Sequence, residues 1–104
     1  MQGICLKFFV NESHRHHSKL LYEWLLEQAK VIGIGGGTAV RAIAGFGRHG
    51  RLHEEAFFEL AGELPVEVEF LVSVEQAERL LALLKVESLR LFYLRMPAEY
   101  GISS

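Results

Sequence analysis

The alternating segment at residues 65–72 constrains the fold more than any other part of the chain. Valines and glutamates alternate here before three further apolar residues, in the order Val66, Glu67, Val68, Glu69, Phe70, Leu71, Val72. A period of two is typical of a β-strand that buries one face. Ser73 follows directly and Gln76 stands three residues later, which is the spacing of a capping box. The segment therefore predicts a half-buried strand that leads straight into a helix.

The remaining elements follow from the same periodicities. Residues 3–10 alternate and predict a first strand, and apolar residues at helical spacing from about 17 to 32 predict a first helix. Gly33 is suited to the left-handed conformation that often caps the C-terminus of a helix, so the first helix is predicted to end there. Residues 38–46 predict a second strand ending in a Gly-Phe-Gly turn, and residues 89–94 a fourth strand that ends before Met96-Pro97. The second helix presents one apolar stripe, made of Ala77, Leu80, Leu81 and Leu84.

The order β-α-β-β-α-β predicts a single α+β domain over residues 1–104. Because both helices are amphipathic, the simplest packing is a ferredoxin-like sandwich, a four-stranded antiparallel sheet with both helices on one face. The opposite face would mix apolar and charged side chains, which predicts that subunits meet there. Its expected members are Phe9, Ile43, Leu71, Phe92 and Leu94 beside Lys7, Arg41, Glu67, Glu69 and Arg90.

Composition narrows the classes of function. The 104 residues carry a formal net charge of −2, so the chain lacks the cationic surface of duplex-binding proteins and no nucleic-acid partner is predicted. The lone Cys5 has no partner for an intrachain disulfide, and no apolar run is long enough for a membrane span, so a cytoplasmic location is expected. A mean hydropathy of +0.18 in so small a chain favours an oligomer.

Seven glycines, three arginines and two histidines fall within residues 33–53. The glycines follow a predicted helix and precede a predicted strand, which is the wrong order for a dinucleotide-binding fingerprint. A P-loop is also excluded, because the glycines are not followed by a lysine and a serine or threonine at the required spacing. A glycine-rich turn with Arg48 and Arg51 could still bind a phosphate or carboxylate. The alternative is a hairpin tip whose charges are simply solvated.

The five histidines allow a metal site, with His49 and His53 as the candidate ligands, although Gly50 between them argues against a shared helix. His14, His16 and His17 are interpreted as the loop entering the first helix. The candidate nucleophiles Cys5 and Ser13 lack a base and an orienting group, so no enzymatic activity is predicted. A remaining alternative is an enzyme acting on a small anion with His49 as acid or base.

Three segments resemble the PII signal-transduction proteins: Gly36-Gly37-Thr38, Ala44-Gly45-Phe46-Gly47-Arg48, and Pro65-Val66-Glu67-Val68-Glu69. Within that superfamily the chain is most similar to a bacterial PII-like group catalogued as a domain of unknown function. The resemblance implies a homotrimer with its sheets facing inward and a small-molecule site in each cleft between subunits. It also implies an adenine nucleotide or a similar small anion as the ligand.

The resemblance assigns site residues by position. It places Gly37 and Thr38 at the start of the strand that lines the cleft, and Gly45, Phe46, Gly47 and Arg48 at the base of the following loop. His49 stands where PII proteins have a glutamine that helps to hold Mg and 2-oxoglutarate, and residues 48–64 contain no tyrosine for uridylylation. Residues 85–94 contain no glycine, whereas PII proteins hold phosphates there with a glycine-rich loop. Arg48, Arg90 and Arg95 would then neutralise the ligand, which favours a short phosphate chain.

The leading hypothesis is therefore a non-catalytic sensor. Its effector would order residues 48–64 and change which partner protein docks, and a membrane transporter is one candidate partner. The alternative is a metal-binding trimer of the same shape that uses His49 and His53.

Overall fold

Four strands in one sheet, two helices and a small hairpin make up residues 1–45 and 64–104, the part of the chain that this computed structural model describes. In chain order they are β1 (Gln2–Asn11), β2 (Arg15–His16), β3 (Lys19–Leu20), α1 (Leu21–Ile32), β4 (Gly37–Arg41), β5 (Pro65–Val72), α2 (Val74–Val86) and β6 (Phe92–Glu99). The main sheet has the strand order β4-β5-β1-β6, and every neighbouring pair is antiparallel. The predicted ferredoxin-like architecture is confirmed.

The core lies between the sheet and the two helices. Alternate residues of β1 and β5 point into it, and Phe8 and Phe70 pack edge to face with ring centroids 6.4 Å apart. Trp24 and Leu25 of α1 and Leu80 of α2 are buried in the same hydrophobic cluster. The quadrupoles of aromatic rings favour edge-to-face pairs, so this contact stabilises the packing of β1 beside β5.

Both predicted helix caps are present. Gly33 adopts φ 102° at the end of α1, and its N–H donates to the carbonyl oxygens of Ala29 and Lys30. The Ser73 hydroxyl accepts from the Gln76 N–H, and the Gln76 side chain accepts from the Ser73 N–H. The strand β5 therefore passes into α2 through a single capping residue.

The start of the first helix differs from the prediction. The helix begins at Leu21, not near residue 17, because residues 15–20 form the hairpin of β2 and β3. The two residues at its tip, His17 and Ser18, have φ values of 54° and 66°, which is the pattern of a type I′ turn and is incompatible with a right-handed helix. Lys19 consequently pairs with Glu27 and not with Glu23, the i,i+4 partner that a helix would have supplied.

The second strand is shorter than predicted, and Arg41 within it lies on the other face of the sheet from the one predicted. It ends at Arg41, and Ile43 beyond it is 93% exposed. Residues directly opposite in an antiparallel pair share a face of the sheet, and Arg41 lies opposite the buried Val66. Arg41 therefore lies on the helix side, and Arg41 and Ile43 do not share the opposite face as the sequence suggested.

The last strand is displaced towards the C-terminus. Predicted over 89–94, it runs from Phe92 to Glu99 and includes Pro97. Leu89 and Leu91 instead pack against the core before the strand begins. Proline is tolerated because β6 is an edge strand, where one side of the backbone needs no partner.

The sheet face turned away from the helices, called here the open sheet face, carries the expected mixture. Phe9 lies opposite Phe92, and Lys7 lies opposite Leu94 and 3.5 Å from Glu67. Leu71 is 45% exposed and Phe92 is 65% exposed. Arg90 precedes β6 and is exposed. Neither helix in the described part of the chain has the length and apolarity of a membrane span.

Candidate functional site

The two ends of the segment between β4 and β5 are held by one carboxylate. Glu12 Oε1 accepts a hydrogen bond from Arg41 Nε at 2.6 Å, and Glu12 Oε2 accepts one from the Leu64 N–H at 3.4 Å. The Ala42 N–H donates to the Pro65 carbonyl oxygen at 2.9 Å. Glu12 thus fixes the point where this segment leaves and rejoins the sheet. Nothing in the sequence indicates this pairing, because Glu12 is 29 residues from Arg41 and 52 residues from Leu64 along the chain.

Two predicted site residues stand at the start of β4. Gly37 lies opposite Phe70, and a Cβ at this position would lie 2.4 Å from Phe70 Cε1. Because Phe70 is buried, only glycine fits. Thr38 lies opposite Glu69, so its side chain belongs to the open sheet face.

Gly45 follows β4 and is also a predicted site residue, and the described part of the chain stops there until residue 64. A Cβ at Gly45 would lie 3.6 Å from Pro65 Cγ, which places Gly45 beside the start of β5. Phe46, Gly47, Arg48, His49 and His53 lie outside the described residues, as does most of the segment 48–64. Their roles stay predictions, including the metal site at His49 and His53.

Arg90 and Arg95 belong to the other edge of the sheet. Arg90 comes two residues before Phe92, which lies opposite Phe9, so Arg90 is at the same end of the sheet as Pro65. Arg95 lies opposite the buried Leu6, on the helix side, and its Nη1 is 2.9 Å from Glu78 Oε2. Arg95 therefore already has a carboxylate partner, and it does not join Arg90 or Gly45.

Within one chain the two edges are far apart. The strands β4 and β6 are separated by three strand spacings, or about 14 Å. Gly45 and Arg90 share an end of the sheet but not an edge. No single copy brings the described candidates of both edges into one pocket.

A shallow depression lies along the β4 edge. It has a volume of about 210 Å³ and is lined by Tyr22, Ala39, Val40, Arg41 and Val66. Its position beside Arg41 places it next to the base of the segment held by Glu12. The depression offers an aromatic ring and a guanidinium group at the edge of the sheet.

A second cluster forms where the hairpin meets the end of α2. His16 Nε2 lies 3.0 Å and His17 Nε2 lies 2.8 Å from the same oxygen, Glu87 Oε1. The ring of His16 also packs edge on against Trp24, with centroids 4.7 Å apart. The hydrogen bond from His16, followed by that from His17, lowers the pKa of the Glu87 carboxyl below its ordinary value. Sequence reasoning missed this cluster because about 70 residues separate its two parts.

Cys5 is buried on the open sheet face and outside the helix-side core. Its Sγ lies 3.3 Å from Glu69 Oε2. Burial, and then the hydrogen bond and charge of Glu69, raise the pKa of the Cys5 thiol. The thiol is therefore poorly suited to act as a nucleophile at neutral pH.

Comparison with known proteins identifies relatives over most of the chain. Residues 3–89 match the model of the DUF190 family, described as Uncharacterized ACR. A UPF0166 protein from Aquifex aeolicus (strain VF5) is 38% identical over 80 residues, which cover 77% of this chain and 76% of that protein.

Solved structures show the same fold at low identity. One is described as a candidate PII-like signalling protein from Thermus thermophilus, with 21% identity, a TM-score of 0.58, and coverage of 94% of this chain and 86% of that one. Another is CPII from Thiomonas intermedia K12 bound to ADP and bicarbonate, with 19% identity, a TM-score of 0.64, and coverage of 98% and 91%. A further CPII structure, bound to ADP, AMP and bicarbonate, has 18% identity and a TM-score of 0.63 and covers 100% and 98%.

The family match and the shared architecture agree with each other and with the sequence motifs. The chain belongs to the DUF190/UPF0166 family and has the fold of the PII-like signalling proteins.

Proposed function

We propose that the protein is a non-catalytic, homotrimeric regulator that binds an adenine nucleotide or a similar small anion between subunits. The observation that carries this proposal is the position of the candidate residues on opposite edges of one sheet. The β4 edge offers Thr38, Gly45 and the depression beside Arg41, and the β6 edge offers Arg90. A site that uses both edges is complete only where the β4 edge of one copy meets the β6 edge of the next.

The open sheet face supports the assembly. Leu71 and Phe92 are exposed on it, and Phe9 packs against Phe92 with ring centroids 5.5 Å apart. Apolar side chains on a flat sheet face are stabilised when a second copy removes them from water. Lys7 and Glu67 already form an ion pair there, so burial of this pair would leave neither charge alone.

The expected ligand is small and anionic. Arg90 is an exposed guanidinium group at the end of the sheet, and Arg48 follows Gly45 by three residues in the sequence. A guanidinium group binds phosphate or carboxylate through two parallel hydrogen bonds. The CPII structures contain ADP, AMP and bicarbonate, which agree in size and charge with this expectation. We therefore expect AMP or ADP to bind more tightly than ATP.

The proposed output is a change in partner binding and not a chemical reaction. A ligand that joins two subunits stabilises the arrangement of the chains that binds it, and a partner that recognises this arrangement would respond. A membrane transporter is one candidate for the regulated partner. A pull-down from a lysate with and without ADP would identify it.

Isothermal titration calorimetry with AMP, ADP and ATP in EDTA tests the binding. We expect saturable binding of AMP or ADP, and we expect Arg90→Ala to weaken it about tenfold or more, since a hydrogen bond to a charged group contributes about 1.5–3 kcal/mol. Arg79→Ala is the matched control, because Arg79 is an exposed arginine on α2 and should leave the affinity unchanged. Absence of saturable heat with all three nucleotides would overturn the proposal.

A further inference from the structure

The cluster of His16, His17 and Glu87 has the composition of a transition-metal site. Two imidazole nitrogens converge on one carboxylate oxygen, at 3.0 Å and 2.8 Å, and the three candidate ligand atoms all lie within 4.8 Å of one another. From this geometry we infer that His16, His17 and Glu87 bind Zn²⁺ as a three-residue site. The inference is independent of the proposed nucleotide cleft, which uses other residues.

The backbone brings the two imidazoles together. Successive residues of a strand point to opposite faces, but His17 and Ser18 have φ values of 54° and 66° and turn the chain back. The two rings consequently share one side, with centroids 4.2 Å apart. Arg15 Nη2 donates to the Ser18 carbonyl oxygen at 2.8 Å and braces the turn. A non-glycine residue in the left-handed region is uncommon, but a type I′ turn requires two in succession, and this turn leaves the two rings side by side.

The position of Glu87 indicates a cation. Glu87 is the C-cap of α2, where the unpaired carbonyl groups carry partial negative charge and a carboxylate is electrostatically unfavourable. A divalent cation held by Glu87 would offset both the carboxylate and the helix terminus.

The two nitrogen–oxygen distances in the cluster are close to the ligand separations around a small ion. Ligands about 2.0–2.1 Å from a tetrahedral ion stand about 3.3 Å from one another. The two observed nitrogen–oxygen distances, 3.0 Å and 2.8 Å, are a few tenths of an ångström shorter, and all three ligand atoms lie within 4.8 Å of one another, so side-chain rotations at the exposed His17 would be needed to admit the ion. The exposed fraction of the His17 side chain, 63%, provides an entry path from solvent.

The ligand set favours Zn²⁺ over hard cations. Two imidazoles and one carboxylate form the three-ligand set that binds Zn²⁺ with a fourth position open to water. Ca²⁺ and Mg²⁺ prefer all-oxygen coordination and should not compete. Cu²⁺ and Ni²⁺ share the preference for imidazole, so they are expected to bind as well.

Equilibrium dialysis of EDTA-treated protein against Zn²⁺, followed in parallel by tryptophan fluorescence, tests the site. Trp24 is the only tryptophan of the chain and lies 4.7 Å from the His16 ring, so its emission reports binding there. We expect saturable binding that His17→Ala and Glu87→Gln each weaken at least tenfold, with an unchanged circular dichroism spectrum. Excess Mg²⁺ or Ca²⁺ should not displace the Zn²⁺.

Two control variants separate this site from other histidines. His14→Ala removes an exposed imidazole from the same loop and should leave both the affinity and the fluorescence change intact. The double variant His49→Ala/His53→Ala should retain the fluorescence change at Trp24. Wild-type affinity in both His17→Ala and Glu87→Gln, or no saturable Zn²⁺ binding by the unmodified chain, would overturn the inference.

Discussion

Arg41 Nε lies 2.6 Å from Glu12 Oε1, across the point where the chain leaves the sheet after β4. The same carboxylate accepts from the Leu64 N–H, so one side chain holds both ends of the intervening segment. Glu12 is three-quarters buried while Arg41 is mostly exposed, and an ion pair of this kind contributes modestly to stability.

A double-mutant cycle with Glu12→Ala and Arg41→Ala measures this pair. We expect a coupling of about 0.2–1 kcal/mol in the free energy of unfolding, because water screens the exposed guanidinium. The coupling should shrink in about 1 M NaCl. A coupling of zero at low salt would show that the contact does not hold the segment.

Gly37→Ala tests the close approach of β4 to the core. The added methyl group would lie 2.4 Å from Phe70 Cε1 and 2.7 Å from Phe70 Cδ1, and the buried ring cannot move aside. We expect a loss of about 1–3 kcal/mol in urea unfolding at fixed protein concentration. Gly36→Ala is the control, since nothing lies within 4 Å of a Cβ there, and it should be close to neutral. Equal stability of the two variants would contradict the packing described here.

The sequence predicts most of this fold because its signals are local. The alternation in residues 65–72, the capping box of Ser73 and Gln76, and the left-handed Gly33 each depend on a few neighbouring residues. Such patterns are fixed by backbone geometry whatever the rest of the chain does. The strand order then follows from the short list of sandwich topologies available to β-α-β-β-α-β.

The errors arise where tertiary contacts outweigh local patterns. Leu89 and Leu91 follow the alternating pattern of a strand, but they pack against the core, and β6 begins only at Phe92. The hairpin before α1 lacks the Asn-Gly signal of a type I′ turn and uses His17-Ser18 in its place. The cluster with Glu87 exists only after folding, so no spacing in the sequence could indicate it.

Leu71→Glu tests the role of the open sheet face. The substitution places a charge beside Glu69 at the centre of the proposed contact between copies, and we expect the assembly to dissociate. Light scattering should report a mass near 11.8 kDa for the variant and about three times that for the unmodified chain. Val31→Glu is the control, because Val31 is 78% exposed on α1, away from the sheet. Dissociation by Val31→Glu alone would place the contact on the helix layer.

The titration of Glu87 gives a pH test of the histidine cluster. Because the pKa of Glu87 is lowered in the folded chain, its contribution to stability is present above the ordinary carboxyl pKa and is lost as pH falls through the lowered value. Carboxyl NMR in EDTA should show a midpoint below the ordinary value. His16→Ala and His17→Ala should each raise this midpoint, and His14→Ala should not change it. A midpoint at or above the ordinary value in the unmodified chain would contradict the two hydrogen bonds.

Complementation between two defective variants tests the central claim most directly. Arg48 is predicted to belong to the β4 side of the proposed site and Arg90 to the β6 side, so co-expression of Arg48→Ala and Arg90→Ala with two affinity tags should yield mixed trimers that contain both variants. In each mixed trimer about one interface of the three joins two intact edges. We predict about one ADP bound per mixed trimer with the affinity of the unmodified protein, although each variant alone binds weakly. Mixed trimers that bind no better than either variant would show that the site does not lie between copies.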